Sequence, residues 1–171
     1  TAPVLSYFNI VGRAEPLRLL LADGCHSAGQ RYEQTLFSKS EWDSVHKAQT
    51  PLGSTPTLRW GKDVEVAQTL AIAQFLGSTL DRQGSSETDL AASATLTACC
   101  YTELLSPLSN VLWAPVRLKG IPLRAVTHAY YAKVIDLLPR LEGLMAQAKA
   151  AKQTKKGSAG GSVGPFLLGN D

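Results

Sequence analysis

No stretch of the sequence is long and apolar enough to span a membrane, because none approaches the run of ~18 apolar residues that such a helix requires. The first residues also lack the charged and then apolar order of a signal peptide. The excess of one sign of charge over the other is also small, because 17 basic and 14 acidic residues leave a net charge of +3. This dispersed charge is too small to indicate nucleic acid. We predict a soluble protein with no transmembrane segment and no nucleic-acid partner.

Cysteine is rare in the chain. Cys25, Cys99 and Cys100 are odd in number, and the adjacent pair has neither metal-ligand nor redox spacing. The sequence therefore predicts buried thiols, no bound metal and a reducing compartment, the cytoplasm. Because the chain begins at Thr1 without a methionine, trimming, removal of an organelle leader and an incomplete sequence all stay open.

The first 80 residues carry the pattern of a β-α-β unit followed by a β-hairpin and a covering helix. With 171 residues, 44% of them hydrophobic, the chain can form one ordinary domain or two small ones. The predicted elements are a strand at Val4–Phe8, a helix from Ala14 that stops near Gly24, a strand within 31–37, a short helix at Ser40–Asp43 behind a serine cap, strands at Thr57–Trp60 and Val64–Gln68, and a helix from a Thr69 cap to Leu80. This order predicts a mixed sheet with helices on its faces.

The character of the chain changes after the polar stretch Asp81–Ser86. Two long helices are predicted, at Glu87–Trp113 and Pro122–Lys149, with prolines that kink or end the first. The second helix has an apolar stripe at Leu123, Val126, Tyr130, Val134, Leu137, Leu138 and Leu141, so we expect one buried face. Residues 149–164 are rich in Lys, Gly and Ser and read as a surface loop, after which an apolar segment approaches a helix that the chain does not contain. The helical domain is therefore predicted to be cut short.

Several motifs in one order resemble the cytosolic glutathione transferases, especially the tyrosine-type sigma class. They are Leu5-Ser-Tyr-Phe-Asn, Gly12-Arg-Ala-Glu, Pro51-Leu-Gly followed by Thr55-Pro56, Gln68-Thr69 with the helix to Leu76, and Phe166-Leu-Leu-Gly-Asn170. The resemblance implies a thioredoxin-like α/β domain with a four-stranded mixed sheet and an all-α C-terminal domain. The implied bounds are a glutathione-binding domain at 1–80, a linker at 81–88 and an incomplete helical domain at 89–171.

The resemblance also implies roles for individual residues. Tyr7 matches the catalytic tyrosine, whose O–H donates a hydrogen bond to the glutathione sulfur and favours the thiolate. Arg13 matches a cation near the sulfur; the alternative is a helix start that is either solvated or salt-bridged, with Glu15 as the candidate partner. The glutathione-binding residues implied are Trp42 and Lys47 for the glycyl carboxylate, Thr55 before a cis Pro56 for the cysteinyl backbone, and Gln68 and Thr69 for the γ-glutamyl end.

Two positions depart from the family pattern. Lys47 lies one residue further from Trp42 than expected, with His46 in the strict position. The family's acidic residue in the fourth helix falls near Cys99 or Cys100, about one turn from Glu103. The electrophile pocket is predicted to include Tyr101, Leu104, Leu105 and Leu108.

The leading hypothesis is thus a glutathione transferase that conjugates small electrophiles, with glutathione as substrate and a homodimer as the family's assembly. The alternative is a subunit of a larger complex with little activity, as in the lens crystallins that resemble this class. A disulfide oxidoreductase is disfavoured because Tyr7 stands where a Cys-x-x-Cys motif would be needed.

Overall fold

The structure, a computed structural model, describes residues 2–117 and 122–156. Its internal contacts divide the chain into two compact units, Thr1–Arg82 and Gln83–Asp171. The predicted Phe166–Asn170 motif and the end of the predicted surface loop lie outside the described residues.

A four-stranded mixed sheet forms the centre of the first unit. Its strands are β1 (Val4–Phe8), β2 (Glu33–Phe37), β3 (Thr57–Trp60) and β4 (Val64–Ala67), in the order β2-β1-β3-β4. β1 is parallel to β2 and antiparallel to β3, which pairs with β4 as a hairpin. Gly61 makes the hairpin turn at φ +69°, a conformation that favours glycine. The predicted fold class is confirmed in this unit.

Two helices cover the sheet and complete its core. They are α1 (Glu15–Ser27) and α4 (Thr69–Thr79), which pack against each other. The core consists of Leu5, Tyr7, Ala14, Leu17, Leu21, Cys25, Leu58, Ile72 and Leu76. Between β2 and β3 lie α2 (Lys39–Glu41), a π-helical turn (Trp42–His46) and α3 (Lys47–Gln49). Because β1 is central and buried, its last residues hold a fixed place at one end of the sheet.

Three local predictions in this unit were wrong. α1 continues past Gly24 to Ser27, because Gly24 is there for close packing: a Cβ would lie 2.5 Å from Leu80 Cδ1. The short helix α2 begins at Lys39 instead of Ser40, and its serine cap is Ser38, which forms a capping box with Glu41. Thr69 is not a cap, since the N-cap position of α4 belongs to Gln68, which makes no side-chain capping bond.

The second unit is helical throughout its described residues. It contains α5 (Glu87–Cys99), a second π-helical turn (Cys100–Leu105), α6 (Ser106–Arg117) and α7 (Leu123–Lys156), which packs against α5 and α6. The break predicted from proline appears as the π turn before Pro107, where the N–H of Ser106 donates to the carbonyl five residues back. Pro115 does not end α6, which includes it.

The predicted apolar stripe of α7 is only partly correct. Val126, Tyr130, Val134 and Leu137 are half-buried and Leu141 is buried, but Leu123 and Leu138 are exposed. α7 also continues to Lys156, where a loop had been predicted. The sequence there is rich in alanine, lysine and glutamine, which favour helix, and this local preference outweighs the low hydrophobicity.

The cysteines differ in exposure, although all three were predicted to be buried. Cys25 is buried in the first unit, Cys99 is half-buried and Cys100 is exposed. Burial raises the pKa of the Cys25 thiol. Desolvation, and then the neighbouring Cys99, raise the pKa of Cys100.

Candidate functional site

The hydroxyl of Tyr7 lies at the end of β1 against the loop that leads into α1. The side chain is 6% exposed, so the ring is held by the core. Its oxygen accepts a hydrogen bond from the backbone N–H of Arg13 at 3.1 Å. Among the described residues, the phenolic O–H has no acceptor. Because the oxygen is held as an acceptor, its proton is left to be donated to another molecule.

Gly12 allows the loop to approach the phenol this closely. It has φ +47°, and a Cβ at this position would lie 2.7 Å from the Tyr7 hydroxyl oxygen. A side chain would both strain the backbone and collide with the phenol. Glycine is therefore required for the hydrogen bond between Tyr7 and the loop.

The backbone of Arg13 also contacts the start of α4. Thr69 is 4% exposed, and its hydroxyl donates to the carbonyl of Arg13 at 3.4 Å. The Arg13 residue itself is exposed. Glu15 is not the salt-bridge partner of Arg13, since the Glu15 carboxylate pairs with Arg18 at 2.9 Å, and the exposed Arg13 agrees with the alternative of a solvated helix start.

A second connection joins the cis-proline loop to β1 and to the approach to α4. The Thr55–Pro56 peptide bond is cis, as the resemblance implied. Thr55 donates its hydroxyl proton to the Ser6 carbonyl at 2.9 Å, and the Gln68 amide donates to the Ser54 hydroxyl at 3.2 Å. Gln68 has φ +75°, which is uncommon for a residue with a side chain and is often found at functional positions.

These hydrogen bonds connect five of the predicted residues into one closed group. Starting at β1, the group runs through Tyr7 to Arg13, from there to Thr69 and Gln68, and then through Ser54 and Thr55 back to Ser6. Four short chain segments, residues 6–7, 13, 54–55 and 68–69, are thereby held together at one end of the sheet. Exposed Gln68 and Arg13 lie on the solvent side of this group, and buried Tyr7 and Thr69 lie beneath.

The π turn explains how the extra residue between Trp42 and Lys47 is accommodated. The N–H of Lys47 donates to the carbonyl of Trp42, five residues back instead of four. The extra residue that the resemblance implies thus coincides with one widened turn, which separates Trp42 from Lys47. Their joint binding of a carboxylate stays a prediction.

Aromatic packing holds Trp42 in place. Its ring stacks on Phe37 with centroids 5.3 Å apart and packs in a T-shaped arrangement with Phe8 at 5.7 Å. His46 also stacks on Phe37, with ring centroids 4.7 Å apart. Trp42 is 6% exposed, yet no buried polar side-chain atom of the described residues lacks a partner. Because the indole N–H has no hydrogen bond within this part of the chain, it must reach the surface, where it can donate. Lys47 is exposed.

The predicted electrophile-pocket residues belong to the second unit. Tyr101, Leu104 and Leu105 lie in its π turn and Leu108 lies in α6, all of them half-buried. The nearby Glu103 pairs with Lys133 of α7, and this ammonium holds the pKa of the Glu103 carboxyl below its usual range. Glu103 is therefore engaged within its own unit. The electrophile pocket stays a prediction.

Two residues of the site were not predicted from the sequence. Gly12 carried only a motif signal, and its contact with Tyr7 depends on the tertiary approach of the loop. Ser54 sits in a loop whose sequence signals a turn and nothing more. Within residues 2–117 and 122–156, no cluster of His, Cys, Asp or Glu could hold a metal ion, and no helix is long and apolar enough to cross a bilayer.

Comparison with known proteins gives sequence relatives and structural neighbours, although no protein-family model matches the chain. The chain is 36% identical over 85 residues to a probable glutathione S-transferase of Caenorhabditis elegans, covering 50% of this chain and 38% of that protein. It is 31% identical over 97 residues to S-crystallin 3 of Enteroctopus dofleini, covering 57% of this chain and 43% of the crystallin. The chain thus matches about two fifths of the length of these relatives.

The fold is similar to that of solved glutathione S-transferases. The enzyme from Ascaris lumbricoides superposes with a TM-score of 0.69 at 22% identity, over 86% of this chain and 69% of that one. At this level of identity the likeness concerns the fold.

Proposed function

Because the chain is similar in sequence to glutathione S-transferases and S-crystallins and similar in fold to glutathione S-transferases, we propose that it binds glutathione and activates the glutathione thiol with Tyr7. The substrates are glutathione and a small electrophile. The thiol loses its proton to solvent, and the thiolate forms a bond to the electrophilic carbon; with an aryl halide, the carbon–halogen bond breaks and halide leaves. The observation that carries the proposal is the hydroxyl of Tyr7, fixed by the Arg13 N–H with its proton available for donation.

The chemistry follows from the acidity of a thiol. A free thiol has a pKa of about 8.5, so only a few per cent is thiolate at neutral pH. A phenol that donates a hydrogen bond to the sulfur stabilises the thiolate more than the thiol, and the pKa of the bound thiol falls. The fixed orientation of Tyr7 means that little ordering is needed when the thiolate forms.

The remaining predicted residues suit the charged groups of the tripeptide. Gln68 and the first N–H groups of α4, with Thr69 at the first helical position, are suited to the γ-glutamyl carboxylate. The backbone of Thr55 precedes the cis bond and can pair with an extended peptide. The indole N–H of Trp42 and the ammonium of Lys47 suit the glycyl carboxylate.

The proposal is tested by glutathione binding and by turnover with an aryl halide, comparing wild type with Tyr7→Phe. Tyr32→Phe is the matched control, since Tyr32 is also in the first unit and its hydroxyl accepts only a 3.4 Å bond from Gln34. We expect Tyr7→Phe to lower kcat/KM by about 10- to 100-fold, the usual effect of losing one charge-stabilising donor, and to raise the pKa of the bound thiol by about 1 to 2. Glutathione that fails to bind at millimolar concentration would refute the proposal.

The similarity to S-crystallins favours a second candidate, a structural subunit that keeps the fold without turnover. Binding of glutathione with no difference in rate between Tyr7→Phe and wild type would support this second function. The pocket at Tyr101, Leu104, Leu105 and Leu108, and assembly as a homodimer or within a larger complex, are part of the proposal and are tested by the electrophile dependence of KM and by the molecular mass in solution.

A further inference from the structure

Arg18 of α1 makes an unusually dense set of contacts beside Tyr7. Its Nη1 donates to the carbonyls of Ile10 and Val11 at 3.0 and 3.1 Å and to Glu15 at 2.9 Å. Its Nε donates to the side-chain oxygen of Gln34 in β2 at 2.8 Å. The side chain is only 15% exposed, so one guanidinium joins the β1–α1 loop, α1 and β2 in a largely buried place.

The backbone also fixes part of the loop that Arg18 holds, because the Ile10 N–H donates to the Phe8 carbonyl at 2.7 Å. The side chains of Ile10 and Val11 are 53% and 67% exposed, so hydrophobic burial contributes little to the position of this backbone. The guanidinium therefore adds side-chain hydrogen bonds to the Ile10 and Val11 carbonyls at a place where hydrophobic burial contributes little. Charge-assisted bonds of this kind are stronger than neutral ones.

The held loop leads directly to the hydrogen bond of Tyr7. Val11 is followed by Gly12 and Arg13, and the N–H of Arg13 is the donor to the phenolic oxygen. The guanidinium also lies over the phenol ring, with its carbon 5.9 Å from the ring centroid. A shift of the loop would therefore change both the length and the direction of the bond that orients the hydroxyl.

We propose that Arg18 is a positioning residue that fixes the β1–α1 loop, and through the Arg13 N–H fixes the direction of the Tyr7 hydroxyl. The inference deepens the proposed function and rests on it for its catalytic consequence. Its structural part, the link from Arg18 to the Arg13 amide, stands without glutathione. Glu15 balances the charge of the guanidinium, which points to geometry as the means by which Arg18 acts.

The first arm of the test is hydrogen exchange of the Arg13 amide, measured by NMR in the full chain without ligand. Tyr7→Phe gives the reference for a lost bond, about tenfold faster exchange. Arg18→Met is expected to accelerate exchange at least threefold, and Arg18→Lys likewise, because an ammonium keeps the charge but not the fork of donors. The matched control is Arg82→Met, which removes another arginine that bonds an aspartate and two carbonyls in the same unit and should leave the Arg13 amide unchanged.

The second arm is the pH dependence of the bound thiol, followed by its ultraviolet absorbance as thiolate. Arg18→Met and Arg18→Lys are expected to raise the apparent pKa of the thiol by at least about half the rise seen in Tyr7→Phe. Glu15→Gln removes the balancing charge while leaving the bonds to the loop, so the positioning role predicts an unchanged pH profile.

The outcomes separate the two proposals. If the Arg13 amide exchanges its hydrogen at the same rate in wild type and in Arg18→Met, the inference is overturned, whether or not glutathione binds. The inference is also overturned if Arg18→Lys keeps the wild-type pH profile of the bound thiol while Glu15→Gln changes it. The charge of Arg18 alone would then explain its effect on the thiol. If wild type does not bind glutathione, the proposed function fails, and faster Arg13 exchange in Arg18→Met still supports the structural link.

Discussion

Replacing Gly12 by alanine places a methyl group between the β1–α1 loop and the phenol of Tyr7. The added Cβ would lie 2.7 Å from the hydroxyl oxygen, 3.0 Å from Cε1 and 3.2 Å from Cζ. Ordinary contacts begin at 3.4 Å, so the oxygen contact is short by about 0.7 Å. The ring cannot yield easily, because it is 6% exposed within the core. The loop must move instead, and the N–H of Arg13 moves with it.

The size of the effect has two parts. The left-handed backbone at φ +47° costs an alanine about 1 kcal/mol. The overpacking adds about 1 to 3 kcal/mol, the usual cost of forcing a methyl group into a filled site. We therefore expect the free energy of unfolding to fall by about 2 to 4 kcal/mol. A hydroxyl displaced by a few tenths of an ångström should also lower kcat/KM for conjugation by about tenfold or more.

Urea unfolding and steady-state kinetics measure these effects, with Gly29→Ala and Gly61→Ala as controls. Both glycines have positive φ, at +64° and +69°, but an added Cβ at either would meet nothing within 4 Å. The controls should therefore lose only the backbone part, about 1 kcal/mol, and keep full activity. If Gly12→Ala is no less stable than the controls and equally active, the close approach of the loop to the phenol is wrong.

Further predictions concern packing, pH and thiol reactivity. Gly24→Ala should destabilise the first unit by about 1 to 3 kcal/mol in thermal unfolding, because its Cβ would crowd Leu80 at 2.5 Å, whereas Gly143→Ala, with open space, should stabilise its helix by up to about 1 kcal/mol; equal effects would contradict this. The backbone N–H of Ser38, and then its hydroxyl, hold the pKa of the Glu41 carboxyl below its usual range. The Glu41 carboxylate therefore stabilises the fold above pH ~4.3, the unfolded pKa, and this stabilisation is lost as the pH falls through the lower pKa of the folded state. Glu41→Gln should accordingly reduce stability at pH 7 but not at pH 2, and a loss of equal size at both would refute it. Alkylation followed by peptide mass analysis should label Cys100 before the other two thiols, although more slowly than free cysteine because the pKa of its thiol is raised; labelling that starts elsewhere would contradict the described exposure.

The strands and the helix start could be predicted because their signals are local. Val4–Phe8 is a short apolar run rich in β formers, and the structure places β1 at the same residues. Gly61 marks the hairpin in the same way. The end of α1 could not be read locally, because Gly24 serves a contact with Leu80, which is 56 residues away along the chain.

The sequence predicted which residues belong to the candidate site but not the hydrogen bonds that connect them. The sequence resemblance singled out Tyr7 and Arg13, but it gave Arg13 a role through its side chain, whereas the structure adds its backbone N–H and carbonyl. The charge pattern suggested an Arg13–Glu15 pair, yet the helix brings Glu15 to Arg18, three residues on. Hydrogen bonds between distant segments depend on tertiary approach, which no local pattern encodes.

The π turn at Trp42–His46 changes how this part of the chain can vary in length. A residue gained in an ordinary helix rotates everything that follows by about 100°, whereas here the surplus residue is confined to one widened turn. Under the predicted resemblance, counting forward from Trp42 selects His46 as the carboxylate-binding position, while counting back from Pro51 selects Lys47. Removing one of the intervening residues should therefore restore a regular helix and leave both flanking segments in phase, which makes this turn a natural site for insertion and deletion.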